Sequence, residues 1–171
     1  SNSGGKFGAE LKFAGYDLLI VTGKSEEPVY LLIEDDDVSI KSAAHLWGKT
    51  VWKTEETLKA QHHSEDMKVA SIGVAGEQGV YYACIVNDLH RAAGRSGVGA
   101  VMGSKGLKAI AVRGSRGIRV DDPKRFMQVV KEKNAKFLYH IYRYKIHRVL
   151  FLSSLSIFRR RLLSPPPYSR L

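Results

Sequence analysis

Cysteine is almost missing from this chain: Cys84 is the single one among 171 residues. One thiol excludes an internal disulfide framework, and it excludes an iron-sulfur cluster held by four thiolates of this chain. Cys84 lies in the apolar run Tyr81-Tyr82-Ala83-Cys84-Ile85-Val86 and reads as a small buried hydrophobe. Acidic residues are missing from one end, since all 17 stand at or before Glu132. Nine of the 27 Lys and Arg stand after it, leaving 18 basic against 17 acidic residues, a net of +1, over residues 1–132. The formal charge of +10 would otherwise point to a polyanion. It belongs to the tail, and no nucleic acid is expected as partner of the main part. Long apolar runs are lacking too. The stretch from Val149 to Phe158 is ten residues, about half of what a spanning helix needs, so no membrane partner is expected. Ser1-Asn2-Ser3-Gly4-Gly5 has neither the charged start nor the apolar core of a signal peptide, which makes a cytoplasmic location the default. A chain that opens inside a glycine-rich loop without Met reads as a fragment.

With 44% apolar residues, the length suits one domain with a real core. Phe7, Leu11 and Ala14 share a face of a predicted helix over residues 6–14, with Gly15 at its stop. Residues 17–23, 29–33 and 38–41 read as three strands, the last two a hairpin around Asp35-Asp36-Asp37. Thr54 can cap a helix over residues 54–62, whose early glutamates suit the positive end of its dipole. Residues 68–73, 80–86 and 108–113 read as further strands, and Asp122-Pro123 opens a helix to about Lys133. Strands and helices interleave without strict alternation. The predicted class is α+β, with two mixed or antiparallel sheets and short helices.

Two glycine clusters carry the chemistry. Glycine beside Arg or Lys lets backbone amides form an anion-binding concavity. The first cluster is Asn2-Ser3-Gly4-Gly5 with Gly8; the second runs from Asn87 to Lys108 and contains His90-Arg91-Ala92-Ala93-Gly94-Arg95 and Gly97, Gly99 and Gly103. As generic patterns they are weak. Gly97, Gly99 and Gly103 admit a Rossmann-like dinucleotide binder, with Arg113 and Arg116 near a 2'-phosphate. Gly103-Ser104-Lys105 only grazes a P-loop. The plainest alternative is that these glycines serve a tight turn and helix packing.

Taken together, residues 2–5, the stretch from Phe7 to Asp17, Leu46-Trp47-Gly48, the stretch from Ser71 to Glu77 and that from Asn87 to Val112 closely resemble the aldehyde ferredoxin oxidoreductase family. The similarity runs almost unbroken from residue 1 to about residue 133. It implies a partial N-terminal domain over residues 1–133 that forms the base under a tungsten bis-pterin. The complete protein would have a nearby [4Fe-4S] cluster, small aldehydes oxidised to carboxylic acids, ferredoxin as electron acceptor, and a possible homodimer. Position by position, the resemblance makes Asn2, Gly4, Arg91, Ala92, Gly94 and Arg95 the cofactor-binding residues. It also makes the backbone carbonyls of Asn2 and Ala92 the ligands of a magnesium ion between the pterin phosphates. Arginine suits such phosphates as a planar, always-charged donor, and oxygen ligation suits a hard cation. The cluster cysteines and the other half of the pterin pocket are not in this sequence, so the isolated chain is expected to be inactive, and no residue stands out as catalytic acid or base.

The remaining candidates have blander readings. His62 and His63, beside Glu65 and Asp66, read as a solvated loop rather than a metal site. His90 has no evident partner. Trp47 and Trp52 read as core or edge packing, and Lys105 and Lys108 as solvated helix-end charges rather than phosphate ligands. Residues 134–171, with Arg159-Arg160-Arg161 and Pro165-Pro166-Pro167, have no counterpart in the family. They read as a basic tail, disordered or artefactual, with a non-enzymatic polyanion binder as the competing view.

Overall fold

Alternation sets the sheet. In β1 (Val29–Glu34), Tyr30 and Leu32 point to one face and Leu31 and Ile33 to the other, the period of two that a pleated strand imposes. The computed structural model describes residues 1–140, which fall in two compact units, Ser1–Ile118 and a second that begins at Arg119. In the first unit, β1 pairs antiparallel with β2 (Asp37–Ser42) and parallel with β6 (Leu107–Arg113). β6 then pairs antiparallel with β3 (Lys68–Ser71), β3 with β4 (Ile85–Asn87), and β4 with β5 (Arg91–Ala93). The result is one mixed six-stranded sheet of order β2-β1-β6-β3-β4-β5. The α+β class stands, and the expected second sheet is absent from the described residues.

Both faces of the sheet are covered. Tyr30, Leu32, Val69, Ala109 and Ala111 pack with Leu58 of α2 (Val51–Gln61) and with Leu46 and Met67. Ile33 and Val112 pack with Phe7, Leu11 and Ala14 of α1 (Phe7–Phe13) and its C-cap, as the helical spacing predicts. Ile72 and Leu107 pack with Met102 of α4 (Val98–Ser104). Each fully buried Leu or Met here excludes from water surface worth about 1.5–3 kcal/mol.

Several expected elements shift for identifiable reasons. Residues 17–23 form no strand: β1 already has a neighbour on each side, and they pair with neither open edge of the sheet, β2 or β5. Their apolar side chains instead line an open groove of about 540 Å³ with Val29, Leu31, Val38 and Ile40. Helix α2 starts earlier than Thr54: Thr50 is its cap, extended, with its hydroxyl accepting the Lys53 N–H at 3.2 Å. Thr54 is buried inside the helix, its hydroxyl donating to the Thr50 carbonyl at 2.9 Å. Of residues 80–86 only the end is strand; Val80 N–H returns to the Ala75 carbonyl and Ala83 N–H to the Val80 carbonyl, closing turns. Asp122 caps the last described helix by accepting the Arg125 N–H at 2.9 Å. That helix covers residues 123–140, the end of the described part. The apolar and basic segments expected between residues 149 and 167 lie outside the described residues.

Lys108 corrects the sequence reading most. Its side chain is fully buried, with Nζ donating to the Lys49 carbonyl at 2.8 Å and paired with the Glu77 carboxylate. Glu77, at the end of α3 (Val74–Glu77), also accepts the Gly48 N–H at 2.9 and 3.1 Å. A charge removed from water needs this full set of partners. The expected solvated lysine is therefore a pin joining β6, α3 and the 46–49 turn. Trp52, expected to pack, is 55% exposed; Trp47 and Cys84 are half-buried. His62 is held by more than solvent, with its Nε2 3.0 Å from the buried Tyr30 hydroxyl, and His63 is exposed. No group of three or more metal-ligating side chains occurs among the described residues. Burial pushes the Tyr30 phenol above its ordinary pKa, against a smaller lowering by the Gln61 amide.

Candidate functional site

The β4–β5 hairpin builds the site. Asn87 and Arg91 are the closing pair of its ladder, and the connection bends through Asp88 and Leu89, both with positive φ. β5 is one of the two edge strands of the sheet, so backbone groups on its outer side have no strand partner. Arg91, Ala92, Gly94 and Arg95 are all exposed there.

Residues 2–5 come to this hairpin from the other end of the unit. Asn87 Nδ2 donates to the Gly4 carbonyl at 2.9 Å, and Ser3 Oγ donates to Asn87 Oδ1 at 2.6 Å. The Arg95 N–H donates to Ser1 Oγ at 3.2 Å, and the Lys6 N–H to the Asp88 carboxylate. A methyl group on Gly4 would lie 3.8 Å from Cδ of Arg91, so the arginine stem runs alongside that glycine. Gly5, at φ +101°, sits so close to Asn87 and Asp88 that any side chain would collide with them. The two glycine loops, separate in sequence, thus form one surface.

Its electrostatics are simple. Arg91 and Arg95 enter no ion pair among the described residues. Gly94 is bare, with nothing within 4 Å of where its Cβ would be. Two uncompensated guanidiniums over open backbone fit a phosphate-bearing ligand. Unpaired oxygens along a strand edge fit a hard cation between such phosphates. Asn2 and Gly4 are exposed on the same surface, and all six sequence-predicted residues fall on the two loops.

Gly97, Gly99 and Gly103 have a different task. A methyl group on Gly99 would stand 2.6 Å from the Cys84 carbonyl oxygen, one on Gly103 2.7 Å from the Gly76 carbonyl carbon, and one on Gly97 would strike the Tyr81 carbonyl. These glycines let α4 lie directly on α3 and the 81–84 turn, which is the packing alternative. The dinucleotide reading fails on topology as well: α4 joins β5 to β6, and three antiparallel pairings between them set those strands in opposite directions. A Rossmann unit needs them parallel.

The family profile described as the N-terminal domain of aldehyde ferredoxin oxidoreductase matches residues 1–114. The chain belongs to the aldehyde ferredoxin oxidoreductase family. It is 59% identical over 133 residues to a tungsten-containing aldehyde ferredoxin oxidoreductase of Pyrococcus furiosus, covering 78% of this chain and 22% of that protein. A second relative from the same organism, named as the WOR-like subunit of an aliphatic sulfonate oxidoreductase, is 42% identical over 64% of this chain and 20% of its own length. Among solved structures, the active site complex BamBC of benzoyl coenzyme A reductase, bound to 1,5-dienoyl-CoA, matches with TM-score 0.74 and 45% identity, over 76% of this chain and 20% of that one. The chain therefore spans about a fifth of the length of these family members, which are oxidoreductases. No helix among the described residues is long and apolar enough to cross a membrane.

Asn87, Ser3 and Asp88 are the site residues that sequence reasoning missed. They stood inside the quoted stretches, but an amide that reaches across more than eighty residues leaves no periodic trace.

Proposed function

We propose that residues 1–133 are one wall of a tungsten bis-pterin site in an oxidoreductase that converts aldehydes to carboxylic acids and passes the electrons to ferredoxin. A single observation carries the reading: the two glycine loops meet, with Arg91 beside Gly4 and the Arg95 amide on Ser1. When bound, the tungsten pterin would supply the redox chemistry. The chain's own residues bind and orient. Arg91 and Arg95 hold phosphate oxygens through planar, fixed-charge donors, the bare backbone at Gly4 and Gly94 lets a flat ligand approach, and main-chain oxygens at Asn2 and Ala92 would hold magnesium between phosphates. This wall carries fixed charge and shuttles no proton. Ligands for a [4Fe-4S] cluster, and the rest of the pterin pocket, would come from parts of a full-length protein beyond this sequence, and residues 134–171 would add nothing to the site.

The names of the relatives support this division of labour. The compounds in their names differ, an aldehyde, an aliphatic sulfonate and benzoyl coenzyme A, while each matches between 64% and 78% of this chain. A shared wall is suited to hold the cofactor, and the substrate is selected elsewhere. Isothermal titration of the 171-residue chain with magnesium pyrophosphate tests the wall. Binding should weaken about tenfold in Arg91→Ala and again in Arg95→Ala, the size of a lost charge-assisted hydrogen bond. Equal affinity in all three proteins would refute the assignment.

A further inference from the structure

We propose that Asn87 is the positioning residue of this cradle: its carboxamide sets where the first glycine loop stands relative to Arg91 and Arg95, and thereby sets the affinity for a phosphate-bearing ligand. The inference rests on the cradle reading above.

Residues 1–5 belong to no helix or strand, and among the described residues they enter no backbone-to-backbone hydrogen bond. Nothing in their own conformation fixes them. Their placement comes from the hairpin: the Arg95 N–H reaches Ser1 Oγ at 3.2 Å, and Asn87 supplies both ends of its amide, Oδ1 taking the Ser3 hydroxyl at 2.6 Å and Nδ2 giving to the Gly4 carbonyl at 2.9 Å. Asp88 adds the Lys6 N–H next along the chain. Asn87 is 5% exposed, so its end of these part-buried bonds is shielded from water, and its backbone is locked opposite Arg91 in the ladder. One residue thus ties both walls: its main chain registers the arginine strand and its side chain holds the glycine loop. Its side chain does not reach the open surface where a ligand would sit, so it acts through Ser3 and Gly4.

The chemistry picks the variant. Asn87→Asp keeps the shape and the acceptor for Ser3 but sets a second oxygen against the Gly4 carbonyl, turning attraction into repulsion. Ser3→Ala, on an exposed residue, removes one bond without disturbing the core. Hydrogen exchange by mass spectrometry and titration with magnesium pyrophosphate, on the whole chain, read the two halves of the claim. Asn87→Asp should speed exchange at the Lys6 amide, which the hairpin holds through Asp88, while leaving β1 and β6 protected. It should also weaken pyrophosphate about tenfold or more, the usual cost of losing a group that orients a site. Ser3→Ala should fall between it and the unaltered chain, and carries the test by itself if Asn87→Asp does not fold. Unchanged affinity in these variants, with affinity lost in Arg91→Ala, would overturn the positioning role and leave the cradle standing. Unchanged affinity in Arg91→Ala as well would overturn the cradle and this inference with it.

Discussion

Gly94 and Gly103 stand nine positions apart in one glycine-rich segment, yet their surroundings are opposite. At Gly103, as at Gly97 and Gly99, the space for a side chain is filled by backbone of residues 76 and 81–84. At Gly94 that space is empty, and at Gly4 it holds only the stem of Arg91. The first set is consumed by the fold, because α4 must touch α3. The second leaves the main chain bare beside two guanidiniums, as a ligand would require. A pattern of glycine spacing cannot tell these apart; only the neighbours can.

The largest expected effect lies at the packed end. Lys108→Ala would leave the Glu77 carboxylate buried without its partner, and should cost about 3–5 kcal/mol in chemical denaturation. A Lys108→Met, Glu77→Leu double variant should recover most of it, since two apolar groups fill the same space without a lone charge. Gly103→Ala comes next. It forces a methyl group into the Gly76 peptide and should cost about 1–3 kcal/mol, with no change in pyrophosphate binding beyond that of the unfolded fraction. Leu89 is an intermediate case, a bulky residue at φ 61° in the hairpin turn and 37% exposed. Leu89→Gly removes a left-handed penalty of about 1–2 kcal/mol and adds an entropic cost of about 0.5–1, so thermal denaturation should show a gain of up to about 1.5 kcal/mol. Gly94→Ala should change stability by less than about 0.5 kcal/mol while weakening pyrophosphate. Equal stability losses at Gly94 and Gly103 would erase the contrast.

The smallest effect is electrostatic. The Asp35 carboxyl is held below its ordinary pKa, first by the Ser115 hydroxyl, then by the Ser115 amide. A depressed folded-state pKa adds stability above the unfolded value, and that stability is lost as pH falls through the folded one. Thermal melts from about pH 5 down to 2 should therefore fall more steeply for the unaltered chain than for Asp35→Asn.

Much of this was legible in the sequence. The α1 face, the β1–β2 hairpin and β6 follow from spacing alone, because their side chains alternate or recur locally. What escaped depended on partners distant in the chain. Residues 17–23 have every local mark of a strand, yet they join neither open edge of the sheet, and the pairing of a strand is not written in its own residues. Lys108 reads as solvated until Glu77 and the Lys49 carbonyl close around it. The six positions proposed to bind the cofactor come from family resemblance, and the fold brings their two segments together. Asn87 drew no role in the sequence because its side chain acts across the loops rather than within one.

The central claim is that a phosphate-bearing ligand sits between residues 2–5 and 91–95. Amide chemical shifts of the labelled chain, followed while magnesium pyrophosphate is added, test it most directly. The account expects saturable shifts at Gly4, Gly5 and residues 91–95, with Gly97, Gly99 and Gly103 shifting far less. Shifts centred on Gly97–Gly103, or none at either loop, would contradict it.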